Sequence, residues 1–89
     1  MTAFDPTQFI QFHKVFSELS VAQSETVLLF AIGIPYEDIA DFRHISVKSV
    51  RRHLHESMKK LSIFSLNSLR SVIIIRLFLF TFNGISAGQ

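Results

Sequence analysis

Apolar and basic positions alternate with helical spacing in the middle of the chain, over residues 45–61. The apolar positions recur every three or four residues, at Val47, Val50, Leu54, Met58 and Leu61. This spacing predicts one buried stripe of an α-helix, and Ser46 stands where its N-cap should be. Basic side chains repeat on another side of the same helix, at Lys48, Arg51, Arg52, His55 and Lys59. The helix is therefore expected to pack on a core and to present a cationic strip.

A first helix is predicted over residues 6–18. Asp5 is suited to cap this helix, and Pro6 suits its first position. Apolar side chains repeat along it with helical spacing, at Phe9, Phe12, Phe16 and Leu19. This apolar side must be covered, either by the chain's own domain or by a second subunit. We take residues 1–18 as an amphipathic helical extension of the main domain.

Two short helices precede the basic one. Ser20 and Gln23 have the spacing of a capping box, and Gly33 suits the residue that follows a helix end. Pro35 favours the start of another helix, which is expected to end near Arg43. A tight turn would then lead to the basic helix. Two helices joined in this way, the second one basic, form the helix-turn-helix arrangement that binds DNA.

The C-terminal segment is the most apolar part of the chain. Ser65 or Asn67 is suited to cap a helix, and residues 72–82 are apolar except for Arg76 and Thr81. A run of eleven residues is too short for a membrane span, which needs about twenty. A helix that is apolar all round must be buried on more than one side. A β-strand for the first part of the run is an alternative because β-branched residues favour strands. We predict that the element ends at residues 83–84, so that residues 83–89 form a flexible tail.

The charge is unevenly distributed. Residues 43–60 carry a net charge of +5, whereas the rest of the 89-residue chain carries −3. A local basic footprint favours a polyanion site, although a solvated helix surface is the bland alternative. The chain has no cysteine and no signal-peptide pattern, which suits a reducing, cytoplasmic location. Catalytic pairs and metal-ligand spacings are also missing from the pattern, so we predict no enzyme activity, no cofactor and no metal.

A set of short motifs over residues 19–61 resembles the LuxR/GerE type of helix-turn-helix domain. The matching positions align without a gap; they are Leu19-Ser20, Glu25, Val27, Leu29, Ala31, Gly33, Asp38-Ile39-Ala40, Ile45-Ser46, Ser49-Val50-Arg51, His53-Leu54 and Lys60-Leu61. The resemblance implies an all-α fold, a four-helix helix-turn-helix domain over residues 19–82 with an additional N-terminal helix. It also implies a transcriptional regulator that binds double-stranded DNA as a homodimer. The chain is short, so we expect a stand-alone domain without a sensor domain.

The resemblance implies roles for individual residues. The base-reading positions are Arg51, Arg52 and His55, and the phosphate-facing positions are Lys48 and Ser49, to which we add Lys59. Glu25 is expected to be a structural acid, and His53 to be structural or phosphate-facing rather than a metal ligand. The last helix is expected to supply the dimer interface, through Leu69, Val72, Ile73, Arg76, Leu77 and Phe80.

Some positions depart from the family pattern. Arg43 stands where the family has an apolar residue, so either Phe42 fills that place or Arg43 extends outward and joins the basic surface. Ser57 replaces a core residue, with Met58 beside it as a filler, and Ser62 replaces a glycine. These departures bear on the DNA surface and on the end of the basic helix.

The leading hypothesis from the sequence is a small dimeric regulator that reads the major groove with helix 47–61. The alternative is a protein-interaction module that pairs with a larger regulator through its apolar C-terminal or N-terminal helix and does not bind DNA itself. A membrane-surface peptide is a weaker alternative, because the basic stripe lies inside a capped domain. We therefore predict no membrane association.

Overall fold

The computed structural model describes the backbone of residues 13–87 and the side chains of residues 13–82. Regular structure in this part of the chain is entirely helical. A helical segment at residues 13–15 is followed by four helices, α1 (Val21–Ala31), α2 (Tyr36–Arg43), α3 (Val47–Lys60) and α4 (Leu66–Ala87). The all-α prediction is confirmed, and α2 and α3 form the helix-turn-helix pair. The β-strand alternative for residues 72–75 is wrong, because these residues lie within α4.

Three helices begin at serine caps. The Ser20 hydroxyl accepts a hydrogen bond from the Gln23 amide at 3.1 Å, and the Gln23 side chain accepts one from the Ser20 amide at 3.0 Å. The Ser46 hydroxyl accepts from the Ser49 amide at 3.0 Å, and Ser65 accepts from the amide three residues on at 3.1 Å. Each cap satisfies an amide that has no partner inside its helix. The capping box and the Ser46 cap are confirmed, and Ser65 rather than Asn67 caps α4.

Three helices end in the same backbone motif. A residue with positive φ follows each helix, namely Gly33 (98°), His44 (57°) and Ser62 (56°). After α1, the Ile34 amide donates to the Leu29 carbonyl at 3.0 Å, and the Gly33 amide donates to Phe30 at 3.1 Å. The equivalent bonds follow α2 and α3. This is the Schellman motif, in which the left-handed residue turns the chain sharply out of the helix.

The core is built around α1, which packs against α2, α3 and α4. Its fully buried apolar side chains come from every helix and from the segment before α1; they are Phe16, Val27, Leu29, Ile39, Val50, Leu54, Leu69 and Ile73. The buried hydroxyls of Thr26 and Ser57 donate to carbonyls of their own helix, Ser57 to His53 at 2.7 Å, whereas the buried Ser24 hydroxyl is paired with His13 Nδ1 at 3.1 Å. Ser57 therefore occupies a core position without an unsatisfied polar group, and Met58 packs partly buried beside it.

Two predicted boundaries need correction. The first helix was expected over residues 6–18, but in the described residues it ends at residue 15 and a turn follows. Phe16 and Leu19 are buried in the domain's own core, whereas residues 6–12 lie outside the described residues. At the other end, α4 runs to Ala87 rather than stopping at residues 83–84. An Asn-Gly pair costs a helix only about 1 kcal/mol, and the preceding turns of α4 continue through it.

Candidate nucleic-acid interface

The outward side of α3 is a row of cations. Val50, Leu54 and Ser57 are buried on the inward side. The five basic residues predicted for the outward side, which we call the cationic row, are all exposed; they are Lys48, Arg51, Arg52, His55 and Lys59. Four of them recur at spacings of four, three and four residues, which aligns them along one line of the helix. The row can therefore meet a polyanion without disturbing the core.

Ser49 lies at the N-terminal end of this row and is half-buried. Its amide donates to the Ser46 hydroxyl, and the Ser46 hydroxyl donates to the Ser49 Oγ at 3.0 Å. The hydroxyl of Ser49 is thereby left with its own proton to donate. The first turn of a helix also carries partial positive charge. Both properties are suited to an anionic oxygen.

Arg43 is turned inward and does not join the basic surface. Its guanidinium donates to the Glu25 carboxylate, and the two side chains are only 14% and 21% exposed. This pair links α2 to α1 and supports the prediction that Glu25 is a structural acid. The alternative in which Arg43 extends outward is wrong, because the long side chain places its charge beside a partner instead of in water. A charge at a core position requires such a partner, so an arginine at a position that is apolar in the family was the sequence signal for an ion pair. Phe42 packs partly buried against the core, which agrees with the alternative in which it fills that place.

A second polar link joins α1 to the C-terminal half of α3. The Gln23 side chain accepts a hydrogen bond from Lys60 Nζ at 2.8 Å and donates to Glu56 Oε1 at 3.3 Å. Gln23 is itself buried and also belongs to the α1 capping box. Lys60, although basic and exposed, is therefore committed to holding α3 against α1.

His53 faces the protein rather than the cationic row. Its ring is 17% exposed, and its Nδ1 lies 3.9 Å from Glu56 Oε1, which is too far for a hydrogen bond. Burial lowers the pKa of His53, and the charges of Arg52 and Arg43 lower it further, while Glu56 opposes them. The ring is thus favoured in its neutral form. Its partly buried position agrees with the structural role expected for it.

Tyr36 also belongs to this surface, although the sequence pattern did not predict it. The Arg51 Cζ lies 5.9 Å from the centre of the Tyr36 ring, at the start of α2. Tyr36 in turn lies against Phe30, with ring centres 6.2 Å apart. The available signal was the position of an aromatic residue directly after Pro35, at the first turn of the helix that precedes the basic one.

Of the six residues predicted for the dimer interface, five are buried or partly buried in the protomer and one is exposed. Leu69 and Ile73 are fully buried in the protomer, so they do not offer a surface to a second subunit. Arg76 donates to Glu18 at 3.0 Å and lies 4.8 Å above the Phe16 ring, which ties α4 to the segment before α1. Val72 and Leu77 are partly buried beside them, and of the six residues only Phe80 is exposed.

The exposed surface of α4 is apolar and covers more than one side of the helix. Its large exposed side chains are Ile74, Ile75, Phe78, Leu79, Phe80 and Phe82. Within the described residues, α4 and the other helices do not combine the length and apolar character needed to cross a bilayer. The same residues contain no group of three or more His, Asp or Glu side chains that would hold a metal ion.

Residues 9–61 match the family described as Sigma-70, region 4. The chain belongs to the sigma-70 region 4 family. The matched residues include α1, α2 and α3 and end at the first residue of the turn that leads to α4. Membership of this family makes the chain a helix-turn-helix DNA-binding domain of the kind used in transcription. Comparisons with curated proteins and with solved structures gave no match.

The family assignment bears directly on the surface described above. In a sigma-70 region 4 domain, the helix-turn-helix is a DNA-binding unit, and here its second helix is α3. The cationic row is therefore on the element that the fold uses for nucleic acid. The assignment is to a helix-turn-helix family and not specifically to the LuxR/GerE type that the sequence resembles.

Proposed function

We propose that the protein is a small transcriptional regulator that binds double-stranded DNA as a homodimer and reads the major groove with α3. One observation carries this proposal: the cationic row of α3 is wholly exposed on the second helix of a helix-turn-helix pair. The width of an α-helix suits the major groove, and Arg and Lys suit guanine edges and phosphates. The polar contacts of Glu25 and Gln23 hold α1, α2 and α3 as one unit behind that row.

Two kinds of DNA contact are assigned to the row. Arg51, Arg52 and His55 read base edges. Lys48, Ser49 and Lys59 hold phosphates, with Lys48 and Ser49 in the first turn of α3. Because phosphate contacts release counterions, binding should weaken steeply as salt increases.

We also propose that the domain is of the LuxR/GerE type and that it forms a homodimer through α4. The ungapped motifs over residues 19–61 support the type. The apolar outward side of α4 supports the dimer, because a soluble protein rarely exposes a patch of this kind. Its central line is Ser71, Ile75, Phe78 and Phe82, spaced by four, three and four residues, which is the spacing of a helix-pairing seam. This line replaces Leu69 and Ile73 as the proposed contact between subunits.

The decisive experiment is the selection of genomic DNA fragments by the purified protein. The wild type is compared with the double variant R51A/R52A and with K14A, which removes an exposed basic residue outside α3. We expect the wild type and K14A to enrich one two-fold-symmetric sequence. Each lost base-reading Arg should cost about 1–3 kcal/mol, so the double variant should enrich none. Equal enrichment by the double variant would refute the assignment of Arg51 and Arg52.

The dimer is tested separately by sedimentation of the wild type, of Phe78→Ser and of Phe64→Ser. Both phenylalanines are exposed, but Phe64 lies in the turn between α3 and α4 and outside the proposed line. We expect Phe78→Ser to be monomeric and Phe64→Ser to remain dimeric. A wild type that is monomeric at micromolar concentration would refute the homodimer.

A second candidate function is a protein-interaction module that pairs with a larger regulator without binding DNA itself. The observation that favours it is the exposure of Phe78, Leu79, Phe80 and Phe82, which cover more than one side of α4. A folded wild type that enriches no DNA, and that forms a mixed dimer with another helix-turn-helix protein, would support this function. Loss of that mixed dimer in Phe78→Ser would locate the contact on α4.

A further inference from the structure

Tyr36 and Arg51 join the two helices of the helix-turn-helix pair at its outer edge. Arg51 lies in the second turn of α3 and points toward the ring at the first residue of α2, at a distance within the range of cation–π attraction. The ion pairs among the described residues do not involve Arg51. The Tyr36 ring is therefore the protein group against which the Arg51 guanidinium lies.

The Tyr36 ring is itself held in place. Pro35 precedes it with a φ of −62°, and the Pro35 carbonyl accepts hydrogen bonds from the Asp38 and Ile39 amides at 3.0 Å each. Behind the ring lies Phe30, which is 4% exposed and carries the Arg70 guanidinium 4.5 Å from its own ring centre. This column of two rings between two guanidinium groups connects α4, through α1 and α2, to α3.

We propose that Tyr36 is a positioning residue that holds the Arg51 guanidinium in one orientation before DNA is bound. The proposal rests on the proposed function, in which Arg51 reads a base pair. A free arginine side chain loses rotamer freedom when it binds, and a ring that orders it beforehand removes part of that cost. Among the described residues Arg52 has no ring contact, so it is the internal comparison on the same helix.

The binding test measures affinity for the selected DNA site and for its single base-pair variants. Tyr36→Leu removes the aromatic face, whereas Tyr36→Phe keeps it and removes only the hydroxyl. We expect Tyr36→Leu to lower discrimination at the base pair read by Arg51 by about two- to fivefold, the size of an exposed cation–π contact. Tyr36→Phe should keep the wild-type preference. An equal loss in both variants would overturn the proposal, because the hydroxyl and not the ring would then be responsible.

Double variants separate positioning from a general loss of structure. If Tyr36 acts through Arg51, Tyr36→Leu should have no further effect on discrimination in an R51A background. In an R52A background it should keep its full effect. An effect of the same size in both backgrounds would overturn the proposal. Urea unfolding of each variant gives the fraction folded, by which the affinities are corrected.

A measurement on the DNA-free protein tests the contact itself. The Nε–Hε resonance of Arg51, assigned by its loss in Arg51→Lys, should be shifted upfield by the ring in the wild type and in Tyr36→Phe. It should return toward the position of a free arginine in Tyr36→Leu. An unchanged resonance in Tyr36→Leu would overturn the positioning role. If the protein selects no DNA, the proposed function fails while this resonance still decides whether Tyr36 holds Arg51.

Discussion

The helices α3 and α4 each bury one side in the same core, but their outward sides are opposite in chemistry. The outward side of α3 carries Lys48, Arg52, His55 and Lys59, whereas that of α4 carries Ile75, Phe78 and Phe82. A charged outward side is stable in water without a ligand. An exposed apolar side costs free energy, about 25 cal/mol per Å², until another surface covers it. The two outward sides are therefore suited to different kinds of partner, a polyanion for α3 and an apolar surface for α4.

Substitution of isoleucine by alanine should distinguish the buried side of α4 from its exposed side. Ile73 is fully buried, whereas Ile75 is 56% exposed on the opposite side. We expect Ile73→Ala to lower the free energy of unfolding by about 2–5 kcal/mol, because it leaves a cavity in the core. Ile75→Ala should change it by less than about 1 kcal/mol at concentrations where the protein is monomeric. Urea unfolding at two protein concentrations measures both. Similar losses for the two variants would mean that both sides of α4 are buried in the protomer.

The helix-turn-helix pair is held to α1 partly by an ion pair between charged side chains. Glu25→Gln leaves the Arg43 guanidinium without its carboxylate in a site that is largely buried. We expect a loss of about 2 kcal/mol, which is less than for a fully buried pair because some water reaches both groups. Adding Arg43→Leu should restore most of that loss, since an apolar residue suits this position. Thermal or urea unfolding measures both, and no recovery in the double variant would contradict this role for the pair.

The turn between α3 and α4 contains a residue in an unfavourable backbone conformation. Ser62 has a φ of 56°, which glycine adopts without steric cost. We expect Ser62→Gly to stabilise the protein by about 0.5–1 kcal/mol. The matched substitution Ser71→Gly lies inside α4 and should destabilise it by about the same amount. Opposite signs in urea unfolding would confirm the motif, whereas a destabilised Ser62→Gly would contradict it.

The inward edge of α3 also carries a group that senses pH. The pKa of His53 is lowered below its ordinary value of 6.5 by burial and by Arg52 and Arg43. Between that lowered value and 6.5 the unfolded chain binds more protons than the folded one, so stability should fall as the pH is lowered through this window. Above pH 7 this contribution should be constant. Unfolding free energies of the wild type and His53→Gln over pH 5–8 test this, and an unchanged slope in the variant would contradict it.

Local features of this chain were predictable, whereas contacts across it were not. The caps at Ser20 and Ser46 and the glycine at position 33 could be predicted from the sequence because each acts within a few residues. The partner of Arg43 lies 18 residues away in the sequence, and local pattern does not specify which acid it meets. The same limit applies to the ring beside Arg51, which comes from another helix.

The rotation of α4 was unpredictable for a different reason. Hydrophobic periodicity identifies the buried side of a helix only when the other side is polar, as it is in α3. The residues of α4 are apolar on both sides, so the six residues predicted for the dimer contact included Leu69 and Ile73, which are in the core. The fold and the exposure of the cationic row on α3 were therefore predictable, and the exposed side of α4 was not.

The length of α4 has a consequence for the DNA site of the proposed homodimer. This 22-residue helix is about 33 Å long, so two copies paired along it could cross at more than one point. Moving an antiparallel crossing by one turn in both copies would shift the two copies of α3 by about 11 Å relative to each other, or about three base pairs. The length of the spacer between the two half-sites would then report which residues of α4 pair with each other.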